Sequence, residues 1–136
     1  MKNLWPDIEI DDVINPVNFL KEQGKYLEEI TKGVLTYYIA KKAYKHGDWP
    51  SKEAILYDFY IQAPFLDDYR FLLFRVGHDL IDNYPIKIDT MHMQEQERYT
   101  AKSQEEFEEI LGKILGSDQT RSIVSTLYSK GSQKEE

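Results

Sequence analysis

Cysteine is absent from this chain, so no disulfide can staple it and no thiolate can hold a metal. Long apolar runs are lacking too: nothing approaches the ~20 residues that cross a bilayer. Where a secretory leader would carry its apolar segment, the chain starts Met1-Lys2-Asn3-Leu4-Trp5-Pro6-Asp7 and soon turns acidic. There is no excess of positive charge. Seventeen basic against twenty-four acidic side chains leave a formal charge of −7, which opposes approach to a phosphate backbone or anionic lipid. Lys41, Lys42 and Lys45 form the only local basic cluster. The seven glycines are scattered at turns and caps, and no phosphate-binding loop, dinucleotide fingerprint or G-x-S-x-G elbow occurs. The expectation is a soluble cytoplasmic chain with no cofactor, no metal, and neither nucleic acid nor membrane as partner.

What the chain does have is apolar surface with polar tips. Hydrophobic residues make up 41% and aromatic residues 13%, with ten tyrosines, so a packed core is expected rather than a disordered chain. At 136 residues one domain can bury roughly two thirds of its unfolded surface without metal or disulfide support. The densest stretch is Ile55 to Val76. Ile55–Ile61 and Tyr69–Val76 are rich in β-branched and aromatic residues and alternate with period two, and Ala63-Pro64-Phe65-Leu66-Asp67-Asp68 between them has turn chemistry. They read as a hairpin at the centre of an antiparallel sheet.

Around that hairpin the other elements follow in order. Ile8 and Ile10 alternate with acids in an extended arm or short edge strand. Asn15-Pro16 is a helix start, with a good cap before a proline whose missing N–H is no loss there. Val17, Leu20, Leu27 and Ile30 then share a helical face, and Gly24 within that stripe implies close packing on the sheet. Lys32-Gly33 ends the helix. Val34–Ala40, running on toward Tyr44, is the first full strand, and Lys45–Lys52 a loop. Tyr84–Asp89 is a last strand, placed at an edge by Pro85. Thr90–Lys102 is polar and aperiodic. Ser103-Gln104-Glu105-Glu106 matches a capping box before Phe107, Ile110, Leu111, Ile114 and Leu115. Ser117-Asp118 starts a further helix with Ile123, Val124, Leu127 and Tyr128 inward. The predicted architecture is α+β: an N-terminal helix, an antiparallel meander of about four strands, and two C-terminal helices, residues 1–131 forming one domain and 132–136 a disordered tail.

Candidate chemistry is sparse. His78, Asp79 and Asp82 lie together in a strand connection and could be a fragment of an acid–base pair or an oxygen-rich metal site, although turns select such residues anyway. His46 and His92 have no second ligand at metal-binding spacing. The acidic pairs Asp11-Asp12 and Asp67-Asp68 sit where solvated aspartates are ordinary. The hairpin is more informative, because both of its faces are partly apolar. On regular alternation Leu56 and Tyr60 share a face, and so do Tyr69, Phe71 and Leu73. A second apolar face is expected to be covered, by the first helix on one side and the C-terminal helices on the other, or else by a partner.

The expected function is therefore that of a noncatalytic protein-interaction domain of the immunity, chaperone or adaptor type. Its contact would combine an acidic surface with an aromatic sheet face carrying Leu56, Tyr60, Tyr69, Phe71 and Leu73, with Trp49, His78 and Asp79 as further binding residues. The partner is another protein or a second copy in a homodimer. The alternative is a small-ligand-binding or enzymatic domain with a cavity between helix and sheet, using His78, Asp79 and tyrosine hydroxyls.

Overall fold

The computed structural model describes residues 1–7, 15–90 and 96–132. Helix α1 (Pro16–Ile30) is followed by five strands, β1 (Thr36–Tyr44), β2 (Ala54–Ala63), β3 (Tyr69–Asp79), β4 (Ile86–Asp89) and β5 (Arg98–Ala101), and then by α2 (Gln104–Leu115) and α3 (Asp118–Ser132). The α+β class and order of elements agree with the sequence reading, but the sheet has five strands rather than about four. All pair antiparallel with their sequence neighbours, in the order β1-β2-β3-β4-β5. β5 lies in the stretch read as aperiodic. It pairs with β4, so the strand after Pro85 is internal: Pro85 precedes the first paired residue, Ile86, and takes no donor from the ladder. The expectations for Ile8–Asp12, His92 and the tail beyond Ser132 concern segments outside the described residues; α3 itself runs to Ser132.

Local signals place the helices. The Val17 N–H donates to Asn15 Oδ1 at 3.0 Å, and Gly33 takes the left-handed conformation (φ 81°) that ends α1. A Cβ on Gly24 would stand 2.3 Å from the Tyr37 ring, so the glycine lets α1 lie directly on β1. At α2 the Glu106 N–H donates to Ser103 Oγ at 3.2 Å, while Glu106 Oε1 accepts from the Lys102 N–H at 2.9 Å; the reach back goes one residue beyond the cap. Ser117 Oγ accepts from the Thr120 N–H at the start of α3. The end of α3 rests on the turn after β2, where Gly131 meets Phe65 and Val34.

All three helices lie on one face of the sheet. Leu20 of α1, Phe107, Leu111 and Ile114 of α2, and Leu127 of α3 join Tyr57, Phe59, Ile61, Phe74, Val76, Ile86, Ile88 and Ala101 in a single core. Phe19 and Phe107 bring α1 to α2 with ring centres 5.9 Å apart, and Tyr37, Phe59 and Phe74 form a near-parallel row with spacings of 6.0 and 5.1 Å. This corrects the expectation of helices on opposite faces. The reason is register. Phe59 pairs with Phe74 but Tyr60 pairs with Leu72, so Leu73 is an extra residue in β3. Such a bulge reverses the alternation. Phe71, Leu73, Phe74 and Val76 can then all serve the helix-covered side, and Arg70, Leu72 and Arg75 the other. One apolar face remains to be covered rather than two.

Candidate functional site

The face without helices is built of polar and aromatic side chains in register. Its central row runs Ala40, Asp58, Arg75, Asp89, Arg98 across all five strands. Arg75 grips Asp58 through two bonds, Nε to Oδ1 at 2.6 Å and Nη2 to Oδ2 at 3.0 Å. This hydrogen bond is the main reason its pKa lies above the ordinary guanidinium value. Arg98 Nε donates to Asp89 Oδ2 at 3.3 Å, and Gln96 Nε2 to Asp89 Oδ1 at 3.1 Å, so the buried Asp89 is paired from two sides. Toward the turn at residues 63–68, the Arg70 guanidinium lies 3.7 Å from the centre of the Tyr38 ring, and Tyr38 lies 6.0 Å from Tyr60. Arg70 Nε also donates to Gln62 Oε1 at 3.0 Å. Three of the four arginines in the chain thus lie on this face.

At the opposite end the loop between β1 and β2 folds over the sheet and makes a groove. Gly77 has no side chain because Leu56 and Pro50 occupy the space, with Leu56 Cδ2 2.7 Å from where a Cβ would stand. The Tyr44 ring fills the same space at Gly47. The Gly47 N–H donates to the Lys52 carbonyl at 3.0 Å and Ser51 Oγ to Asp79 Oδ1, which tie the loop down. Trp49 is held half-buried as a wall. Together with Tyr44, Leu56, Lys42, Arg75 and Arg98 it encloses an open groove of about 640 Å³.

The residues singled out from the sequence divide between the two faces. Leu56 and Tyr60 do face away from the helices, but Leu56 is only 6% exposed beneath the loop. Leu73, at 1% exposed, belongs to the core, and Phe71 packs against it. Tyr69 is exposed at the start of β3. Tyr60, Tyr69 and Phe71 do converge, with Arg70 and Leu72, around a shallow depression of about 390 Å³ beside the bulge. His78 and Asp79 point to opposite sides of the sheet, so they are not an acid–base pair. His78, 3% exposed, has Nδ1 2.7 Å from the Asp79 carbonyl oxygen and its ring centre 5.8 Å from that of Tyr57; its Nε2 has no hydrogen-bond partner. Asp79 is exposed and accepts from Ser51. Among the described residues no three His, Asp or Glu side chains converge to hold a metal ion, and no helix is long and apolar enough to cross a membrane.

A second concavity lies between α1 and the C-terminal helices. Phe59, Ile61 and Leu73 form its floor, with Tyr26, Leu27 and Ile30 on one side and Leu115 and Val124 on the other, around about 220 Å³. No histidine or carboxylate lines it. The charged ladder and its groove, by contrast, went unpredicted, although its members interrupt the apolar strands at alternate positions. Compared with known proteins, the chain matches no family model, no curated protein and no solved structure.

Proposed function

We propose that the chain is a noncatalytic, cytoplasmic protein-interaction domain of the immunity, chaperone or adaptor type. It presents the helix-free face of its sheet to another protein or to a second copy of itself. The observation that carries this reading is composition in place: Tyr38, Tyr60, Arg70, Arg75 and Arg98 stand together on the helix-free strands, with Trp49 beside them on the loop between β1 and β2. Tyrosine, tryptophan and arginine are the side chains that dominate binding energy at protein interfaces. Ion pairs and ring contacts already fix Tyr38, Tyr60 and the three arginines, so these lose little side-chain freedom on association. The aromatic and acidic parts of the expected surface are separate, since the acids Glu105, Glu108 and Glu109 lie exposed on α2.

Photo-cross-linking tests the assignment. A photoreactive residue at Tyr60 should capture a partner, or a second copy, that one at Glu109 does not. Capture from Glu109 alone, or none from Tyr60 with a monomer in light scattering, would overturn it. The rival reading, a small-ligand site, has one observation in its favour, the cleft over Phe59, Ile61 and Leu73, whose size and walls suit a single aliphatic or aromatic group. An apolar probe that raises Tm in the wild type but not in Val124→Trp would favour that rival.

A further inference from the structure

We infer that the groove beside Trp49 takes an acidic segment of the partner, in which carboxylates alternate with apolar side chains. This rests on the reading of the helix-free face as a protein-binding surface. It reverses the electrostatic expectation for an acidic chain. The residues that register assigns to that face include five cations, Lys42, Arg70, Arg75, Lys87 and Arg98, against three acids, Asp58, Asp79 and Asp89. The whole chain has a formal charge of −7. The strand residues of this face are therefore net positive, although the chain as a whole is negative.

The groove gathers three of those cations, Lys42, Arg75 and Arg98, with Asp48 also in its lining. Lys42 makes no ion pair with a described residue. Among the described residues Arg98 is bonded through Nε to Asp89, and its side chain is 70% exposed. Arg75 uses Nε and Nη2 on Asp58. A guanidinium has five N–H donors, so both arginines keep donors free while their pairs hold them in place. Between these cations the surface is apolar: Leu56 forms the floor, and Tyr44 and Trp49 the wall. Cationic rim and apolar floor together fit a segment that carries both carboxylates and hydrophobic side chains. A nucleic acid fits poorly. Every residue of it carries a phosphate, and it offers no aliphatic side chain to meet the floor at Leu56.

The experiment uses the full chain, isotopically labelled, and four probes: short synthetic peptides of equal length alternating Glu with Leu, Gln with Leu and Lys with Leu, and a short oligothymidylate. The Glu-Leu peptide should shift the amide signals of the groove, bind about tenfold more tightly than the Gln-Leu peptide, and weaken several-fold on raising salt. Lys42→Gln, which breaks no ion pair with a described residue, should weaken it several-fold while Tm stays near that of the wild type. Trp49→Leu supplies a second variant that keeps the charges but loses the wall, and it too should weaken the acidic peptide. Equal binding of the Gln-Leu peptide, tighter binding of the Lys-Leu peptide or of oligothymidylate, or no binding by any probe overturns the inference. Binding of the Lys-Leu or Gln-Leu peptide to the same amides would keep the face as a protein-binding surface while removing its acidic partner; shifts confined to the helix side would remove both.

Discussion

The two faces of the sheet are held by different physics. On the covered side, contact is dry and dense: Phe59 and Phe74 stack, and Phe107 and Leu111 close over the row. On the open side four of the five strands contribute one member each to a charged row, and stability there comes from hydrogen-bonded pairs at the edge of water. Removing apolar area from water is worth about 25 cal/mol per Å², whereas a partly exposed ion pair is worth at most about 1 kcal/mol. The covered face should therefore carry the fold, and the open face is left free to be shaped by recognition. Mutations on the two sides should differ in both size and kind of effect.

The largest effect is expected at Phe59, 2% exposed at the centre of the stacked row. Phe59→Ala should cost about 3–5 kcal/mol, and Leu111→Ala about 2–5 kcal/mol, in urea unfolding. A loss under about 1 kcal/mol at either site would show that the helices are not packed on the sheet. Next comes Gly24→Ala. Alanine favours a helix by about 1 kcal/mol, but its Cβ would press on the Tyr37 ring, itself stacked on Phe59, so a net loss of about 1–2 kcal/mol is expected. A stabilised variant would mean that α1 can lift from β1 at no cost. On the open face Asp58→Ala should cost only about 1 kcal/mol, because Arg75 stays partly solvated, 30% exposed, after losing its partner. A loss as large as that for Phe59→Ala would indicate that something covers this face.

The smallest effect is alkaline. Tyr99, on β5, is pushed up to about 12 by its hydrogen bond to Glu97 and by burial. Its pKa is thus higher folded than unfolded, where it is about 10. The stabilisation is present in full below about pH 10 and is lost as pH rises through the folded value. Tyr99→Phe should remove the last-ionising phenol from an absorbance titration and soften the fall in stability between those limits. Loss of a phenol that ionises near pH 10 instead would mean that the Glu97 bond does not form.

The parts of the fold legible in the sequence are those encoded by neighbouring residues: the Asn15-Pro16 start, the capping box at Ser103, and the alternation of β2. β5 was missed because Arg98-Tyr99-Thr100-Ala101 is only four residues long. Its polar half answers to Asp89 and Lys87 on the next strand, a match that local periodicity does not show. The faces of β3 were misassigned by the bulge, yet a signal existed. Arg70 and Arg75 are five residues apart, which in a regular strand sends them to opposite faces, and a guanidinium on the helix side would be buried without a partner. An inserted residue between them removes that cost, and Leu73 is that residue. The same shift moved Phe71 and Leu73 out of the candidate site, while the pairing of Asp58 with Arg75 and of Asp89 with Arg98 depends on register between strands.

The unbroken meander also sets an order of events as the chain forms. Every strand pairs with the one beside it in sequence, so the sheet closes through short loops at small entropic cost. The contact of Phe19 with Phe107 is different, since it joins the first helix to one that follows the whole sheet. During synthesis α1 and the strands emerge first, and most of the apolar face waits bare until α2 and α3 arrive. In refolding, Phe74→Leu is expected to slow folding, whereas Phe19→Leu should mainly hasten unfolding. The interval before the last two helices dock is then the time at which this chain is most open to misassociation.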